Sequence, residues 1–93
     1  MPLMTMMRLE LERSFSKRSK KLLKRNPLLQ KTYETLLSKL SINPFDPTLH
    51  THPLKGRLKG KYACSLTQDL RVVFKLYDDI VHLLDIGSHD EVY

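Results

Sequence analysis

Nine side chains in the second half of the chain have the types and spacing for phosphate chemistry: His52, Lys55, Arg57, Lys59, Lys61, Asp69, Arg71, His89 and Tyr93. Most fall in one stretch, His52 to Phe74, where a basic loop punctuated by Gly56 and Gly60 runs into two apolar segments. The others lie in the tail Gly87-Ser88-His89-Asp90-Glu91-Val92-Tyr93. These residues suit metal-free RNA cleavage, in which a base deprotonates a ribose 2′-hydroxyl, cations stabilise the charge growing on phosphorus, and an acid protonates the leaving 5′-oxygen. Arg71 is the phosphate clamp, because a guanidinium offers fixed bidentate donors. His89 is the proton donor, since an imidazole titrates nearest neutrality. His52 or Asp69 could act as the base, with a loop lysine sharing that work, and Tyr93 offers a ring for an unpaired nucleobase. Lys55, Arg57, Lys59 and Lys61 form the RNA-binding loop; the plainer reading of such a loop is a solvated phosphate-binding surface.

Other chemistries find less support. The histidines are scattered and no carboxylate pair accompanies them at ligand spacing, so no metal site is expected. There is no G-x-S-x-G elbow and no glycine spacing that cradles a nucleotide, so no cofactor is expected either. Cys64 is the single cysteine, alternates with Tyr62 and Leu66, and reads as a buried strand thiol rather than a nucleophile.

The 93 residues suit one domain (1–93) with one modest core, and 41% hydrophobic with 28% charged residues is the composition of a folded globule. The net charge of +6 is unevenly spread: ten of the sixteen Lys/Arg lie between Arg8 and Lys39, six between Lys55 and Lys75, and none beyond. Such a basic body attracts polyanions, either nucleic acid or an acidic protein. The opening MPLMTMM is too short for a signal peptide and lacks its basic start, residues 1–5 read as a disordered or edge extension, and no run reaches membrane-spanning length. A cytoplasmic protein without a membrane partner is expected.

The elements that must position these residues follow from periodicity. Met6 to Leu11 alternates Met7, Leu9 and Leu11 with charges, the period of a half-buried strand. Ser14 or Ser16 can cap a basic helix with the narrow apolar set Phe15, Leu22 and Leu23. Asn26-Pro27 stops it and starts another, Asn26 as N-cap, whose stripe is Leu28, Leu29, Tyr33, Leu36, Leu37 and Leu40. Two prolines make Ser41 to Thr51 an extended connector. Lys61 to Thr67 and Leu70 to Leu76 alternate as two antiparallel strands around Gln68-Asp69, and Ile80 to Gly87 is a last strand. His82, inside it, reads as a hydrogen-bonded structural histidine. Because strand neighbours point to opposite faces, Leu70, Val72 and Phe74 in the core put Arg71 on the other face, which is expected to be open and basic. The order predicts an α+β domain: an N-terminal strand and a helical hairpin packed on a small antiparallel sheet.

Four motifs in order, His52-Pro53-Leu54-Lys55-Gly56, Leu58-Lys59-Gly60, Asp69-Leu70-Arg71-Val72-Val73-Phe74 and Ile86-Gly87-Ser88-His89-Asp90-Glu91-Val92-Tyr93, resemble the RelE/ParE superfamily of bacterial toxins, nearest its RelE/StbE and YafQ-like branch. The resemblance runs from about Met7 to the tail. It implies a compact RelE-like fold, a ribosome-dependent mRNA endonuclease (mRNA interferase) that cuts in the ribosomal A site and inhibits translation, and a cognate antitoxin that covers its basic face in a higher-order complex. It also implies functional roles for His52, Asp69, His89 and Tyr93, and for Arg71 across the RelE branch. Where YafQ has a further acidic residue and a histidine on the strand before the turn, this chain has Ala63 and Ser65. The ParE branch shares the fold but inhibits DNA gyrase, and a non-catalytic RNA- or antitoxin-binding module is the third reading. From the charge map, the antitoxin segment should be acidic and amphipathic and lie partly on the basic helix Phe15 to Arg25.

Overall fold

In a computed structural model, which describes residues 6–93, alternating and helical periods resolve into two layers. Strand β1 (Arg8–Leu11) leads into helix α1 (Arg13–Arg25); a 3₁₀ turn (Pro27–Leu29) joins it to α2 (Gln30–Ile42). A second 3₁₀ turn (Pro47–Leu49), the two-residue strand β2 (His52–Pro53) and a third 3₁₀ turn (Gly56–Leu58) precede β3 (Tyr62–Ser65), β4 (Leu70–Tyr77), β5 (Ile80–Ser88) and the short helix α3 (His89–Val92). The sheet order is β1-β5-β4-β3-β2. The predicted α+β class holds, and β1 makes the sheet mixed by pairing parallel with β5, Arg8 opposite Ile80 and Leu11 opposite Leu83. The expectation for residues 1–5 lies outside the described residues.

Rows of side chains across the sheet show why the helices sit where they do. Cys64, Val72 and Ile86 form one row and Tyr62, Phe74 and Leu83 the next, all facing the helices. Phe15 from α1 and Tyr33, Leu36 and Leu40 from α2 close over them, with Leu49 from the connector, in a single cluster. Keeping Leu83 and Ile86 on the same face requires one extra residue, and the β4–β5 register supplies it: Val73 opposes Asp85 while Phe74 opposes Leu83, so Leu84 bulges.

Several local expectations are corrected. Neither Ser14 nor Ser16 caps α1; Glu12 stands at the N-cap without a side-chain bond, and Ser14 Oγ instead donates to the Leu84 carbonyl at 3.1 Å, tying α1 to β5. Asn26 ends α1 rather than starting α2, its amide Nδ2 and backbone N–H both donating to the Leu22 carbonyl. The chain then makes a 3₁₀ turn, which rotates Leu28 out of the stripe to 96% exposure. Leu11 is also exposed, because β1 is an edge strand. The connector is not extended: Asp46 accepts from the Thr48 N–H at 2.8 Å and its hydroxyl at 2.6 Å, and the turn buries Leu49. His82 is the structural histidine expected, with Nε2 at 2.9 Å from Glu12 and Nδ1 at 3.1 Å from the Tyr77 hydroxyl.

The face away from the helices is not wholly open. Ala63, Val73 and Val92 are buried there, outside the main cluster, because α3 folds back over β4 and β5. Among the described residues no helix is long and apolar enough to cross a membrane.

Candidate functional site

The sheet register sets the site. Ser65, Arg71 and Gly87 form one row on the face away from the helices, and His52, Ala63, Val73 and Asp85 form the neighbouring row. Arg71 and His52 are therefore brought to the same face by strand parity alone. They line one cleft of about 560 Å³ together with Thr48, His50, Ser65, Leu66, Thr67 and Gln68.

Arg71 is half-buried and anchored from behind. Its Nη1 donates to the carbonyls of Thr67 (2.9 Å), Gln68 (2.9 Å) and Leu70 (3.2 Å), so the β3–β4 turn holds one corner of the guanidinium. Nη2 and Nε have no protein hydrogen bond among the described residues, which leaves a donor edge for an anion. The turn itself is closed by Thr67 Oγ1, which accepts from the N–H of Asp69 and of Leu70.

His52 is held with a defined ring orientation. Its Nδ1 lies 3.0 Å from the His50 carbonyl. A carbonyl can only accept, so Nδ1 carries the hydrogen, and in the neutral ring Nε2 holds the lone pair. His50 reaches this position in a left-handed conformation (φ 54°) at the end of the 3₁₀ turn. His50 is a titratable cleft residue that sequence reasoning did not select, and its left-handed turn left no periodic signal for it.

His89 opens α3, a turn of helix that the tail GSHDEVY had not suggested, and Tyr93 follows its last residue. Their rings meet edge-on at 4.4 Å between centroids. Burial pushes the Tyr93 phenol above its usual value, and the Arg71 guanidinium opposes the shift, which puts Tyr93 within electrostatic reach of the clamp. The Tyr93 hydroxyl is buried without a hydrogen-bond partner among the described residues, while its backbone carbonyl accepts from Arg57 Nη2 at 3.3 Å. His89 is exposed, with Nδ1 3.7 Å from an Asp90 carboxylate oxygen. Asp69 is exposed on the β3–β4 turn and does not line the cleft. Lys55, Arg57 and Lys59 are exposed and Lys61 half-buried, on a loop whose tight turns need Gly56 (φ 67°) and Gly60 (φ 93°) in the left-handed region.

Cys64 lies beneath this site, fully buried, and burial pushes its thiol up to about 12. The folded chain then keeps a proton that the unfolded chain loses above about 9, so stability falls as pH rises through that window, by about 1.4 kcal/mol per pH unit. The raised Tyr93 phenol acts in the same direction. Thermal unfolding followed from pH 8 to 11 should show a steeper loss for the native chain than for Cys64→Ala. In the folded protein at pH 8 the thiol should resist alkylation.

Among the described residues no group of three or more His, Cys, Asp or Glu side chains gathers as a metal site. Comparison with known proteins is consistent across sequence and fold. The family described as "Bacterial toxin of type II toxin-antitoxin system, YafQ" matches residues 7–93. A metal-bound toxin from Helicobacter pylori is 32% identical, with a TM-score of 0.79 over 95% of this chain and 100% of that one. E. coli YafQ is 25% identical, with a TM-score of 0.71 over 91% of this chain and 96% of its own. The YafQ of the E. coli DinJ–YafQ toxin–antitoxin complex, 22% identical over 95% and 98% of the two chains, shares the fold with a TM-score of 0.78. No curated protein matches the sequence. With 7–93 matched and the RelE-like fold present, the chain belongs to the YafQ family of bacterial toxins of type II toxin–antitoxin systems.

Proposed function

We propose that this toxin is a ribosome-dependent mRNA endonuclease that cleaves without a metal and so stops translation. The observation that carries the reading is the cleft in which Arg71 offers an unpaired donor edge beside His52, whose Nε2 is the free, basic nitrogen. In the reaction, Nε2 of His52 takes the proton of a ribose 2′-hydroxyl, and the 2′-oxygen attacks phosphorus. Arg71 Nη2 and Nε bind the phosphoryl oxygens as their charge grows. The bond from phosphorus to the 5′-oxygen breaks as His89 delivers a proton to that oxygen, leaving a 2′,3′-cyclic phosphate and a 5′-hydroxyl.

The remaining residues serve binding. Tyr93 holds the His89 ring and keeps a partly buried aromatic beside the scissile position. Lys55, Lys59 and Lys61 track the RNA backbone, and Arg57 locks that loop to Tyr93. Asp69, exposed at the turn and outside the cleft, serves on this reading as a contact to a nucleotide flanking the cut. The dependence on the ribosome fits a shallow cleft that does not by itself enclose and align a flexible single strand.

An antitoxin partner follows from the family, and the E. coli relative is solved with DinJ. On this chain α1 presents Lys17, Arg18, Lys20, Lys21, Lys24 and Arg25, so the antitoxin segment that covers it is acidic and amphipathic, in a cytoplasmic toxin–antitoxin assembly.

Induction of the lone chain in cells, with mRNA 5′ ends mapped, tests the reading. New ends in phase with codons should appear for the native chain and vanish for His89→Gln. Growth arrest without new ends would overturn it in favour of a gyrase-type target.

A further inference from the structure

His89 sits on a helix of four residues, too short to hold its own position by backbone hydrogen bonds. What fixes its start is Ser88 and Glu91, which form a capping box, the Glu91 carboxylate accepting the Ser88 backbone N–H at 2.7 Å. That carboxylate also lies flat on Gly87. A β-carbon at Gly87 would stand 2.9 Å from Glu91 Oε1 and 3.2 Å from its Cβ, so the bare backbone of the strand is a seat for this one side chain. The backbone of Gly87 is not in the left-handed region, and the three atoms nearest to a β-carbon there all belong to Glu91, which would have to shift to admit it.

Gly87 also belongs to the row that contains Arg71. The seat therefore references α3, and with it His89, to the same rung of the sheet that carries the phosphate clamp. The carboxyl is held below its usual value, first by the Ser88 N–H and then by the Ser88 hydroxyl, so it is ionised wherever the protein functions.

We propose that Glu91, seated on Gly87, is the positioning residue for His89: it sets the distance between the proton donor and the Arg71 clamp. It touches no substrate atom. The inference rests on the nuclease reading for its effect on rate, but not for its effect on the position of His89.

The test uses the full-length toxin as Glu91→Ala, Glu91→Gln, Gly87→Ala and the double variant Gly87→Ala/Glu91→Ala. Two quantities are read: the NMR shifts of the His89 ring protons, which sense the Tyr93 ring, and cleavage of mRNA on programmed ribosomes. Glu91→Ala and Gly87→Ala should each move the His89 signals and lower kcat by about ten- to a hundredfold with KM nearly unchanged. Glu91→Gln keeps an oxygen that accepts the Ser88 N–H, and should restore most of both. The double variant should be no worse than the poorer single one, since both changes break one device. Glu91→Ala with native His89 signals overturns the proposal, as does a kcat loss in which those signals stay put. A native chain that cuts no mRNA while Glu91→Ala still shifts His89 would sink the nuclease reading and leave the positioning role standing.

Discussion

On the nuclease function proposed above, Arg71→Ala should lower ribosome-dependent mRNA cleavage by about 10²- to 10³-fold and leave the toxin folded. The size follows from the geometry. One guanidinium corner is committed to three carbonyls at the turn, while Nη2 and Nε make no hydrogen bond among the described residues, so the charge is held already oriented on the cleft that Arg71 lines. Losing such a donor in other enzymes costs about 2.7–4 kcal/mol of transition-state stabilisation, which is the stated range of rate. Arg71→Lys should recover only a small part, because an ammonium cannot hold the turn and present two parallel donors at once. The Thr67 and Gln68 carbonyls released by either change lie on the β3–β4 turn, where water replaces the arginine, and the Leu70 carbonyl keeps the Leu66 N–H, so the midpoint of thermal unfolding should shift little. Cleavage within threefold of native in Arg71→Ala would remove the clamp from the mechanism.

Phe15→Ala should cost about 3–5 kcal/mol of stability, read as a large drop in the urea midpoint. Phe15 is fully buried where α1, α2 and the sheet meet, stacked on Tyr33 at 6.3 Å. With domains of this size stable by roughly 5–15 kcal/mol in total, that loss takes a large share of the reserve. Leu28→Ala removes a leucine from the same helical pair and should change the midpoint by less than about 0.5 kcal/mol, since that side chain is already in water. Equal effects from the two variants would mean that the helices pack on a different stripe.

Strand parity made the essential part of the site legible. Leu70, Val72 and Phe74 could only enter the core if Arg71 left it; that His52 shares the face of Arg71 depends on the two-residue strand β2, whose pairing with β3 periodicity did not report. The four ordered motifs pointed to the family by resemblance, and in the fold they fall on β2, the third 3₁₀ turn, the start of β4, and the end of β5 with α3. Other features depended on partners far away in sequence. Nothing near Arg8 announces that β1 runs parallel to β5, and nothing near Leu84 announces a bulge. Helix boundaries went astray where a local rule met a stronger neighbour: Asn26 could have capped α2, yet the last carbonyls of α1 reached it first. The left-handed turn at His50 is set by the Asp46 cap and the burial of Leu49, which periodicity does not report.

The sheet order has a consequence for how a cell makes this toxin. The first strand finds its partner only in the last, and the helix that carries His89 comes later still. During vectorial synthesis a nascent chain complete through β4 has an unpaired β1 and an unclosed core lacking Val81, Leu83 and Ile86. A chain stopped before β5 therefore leaves β1 without its partner and the core open, and closure of the whole sheet waits on that one strand.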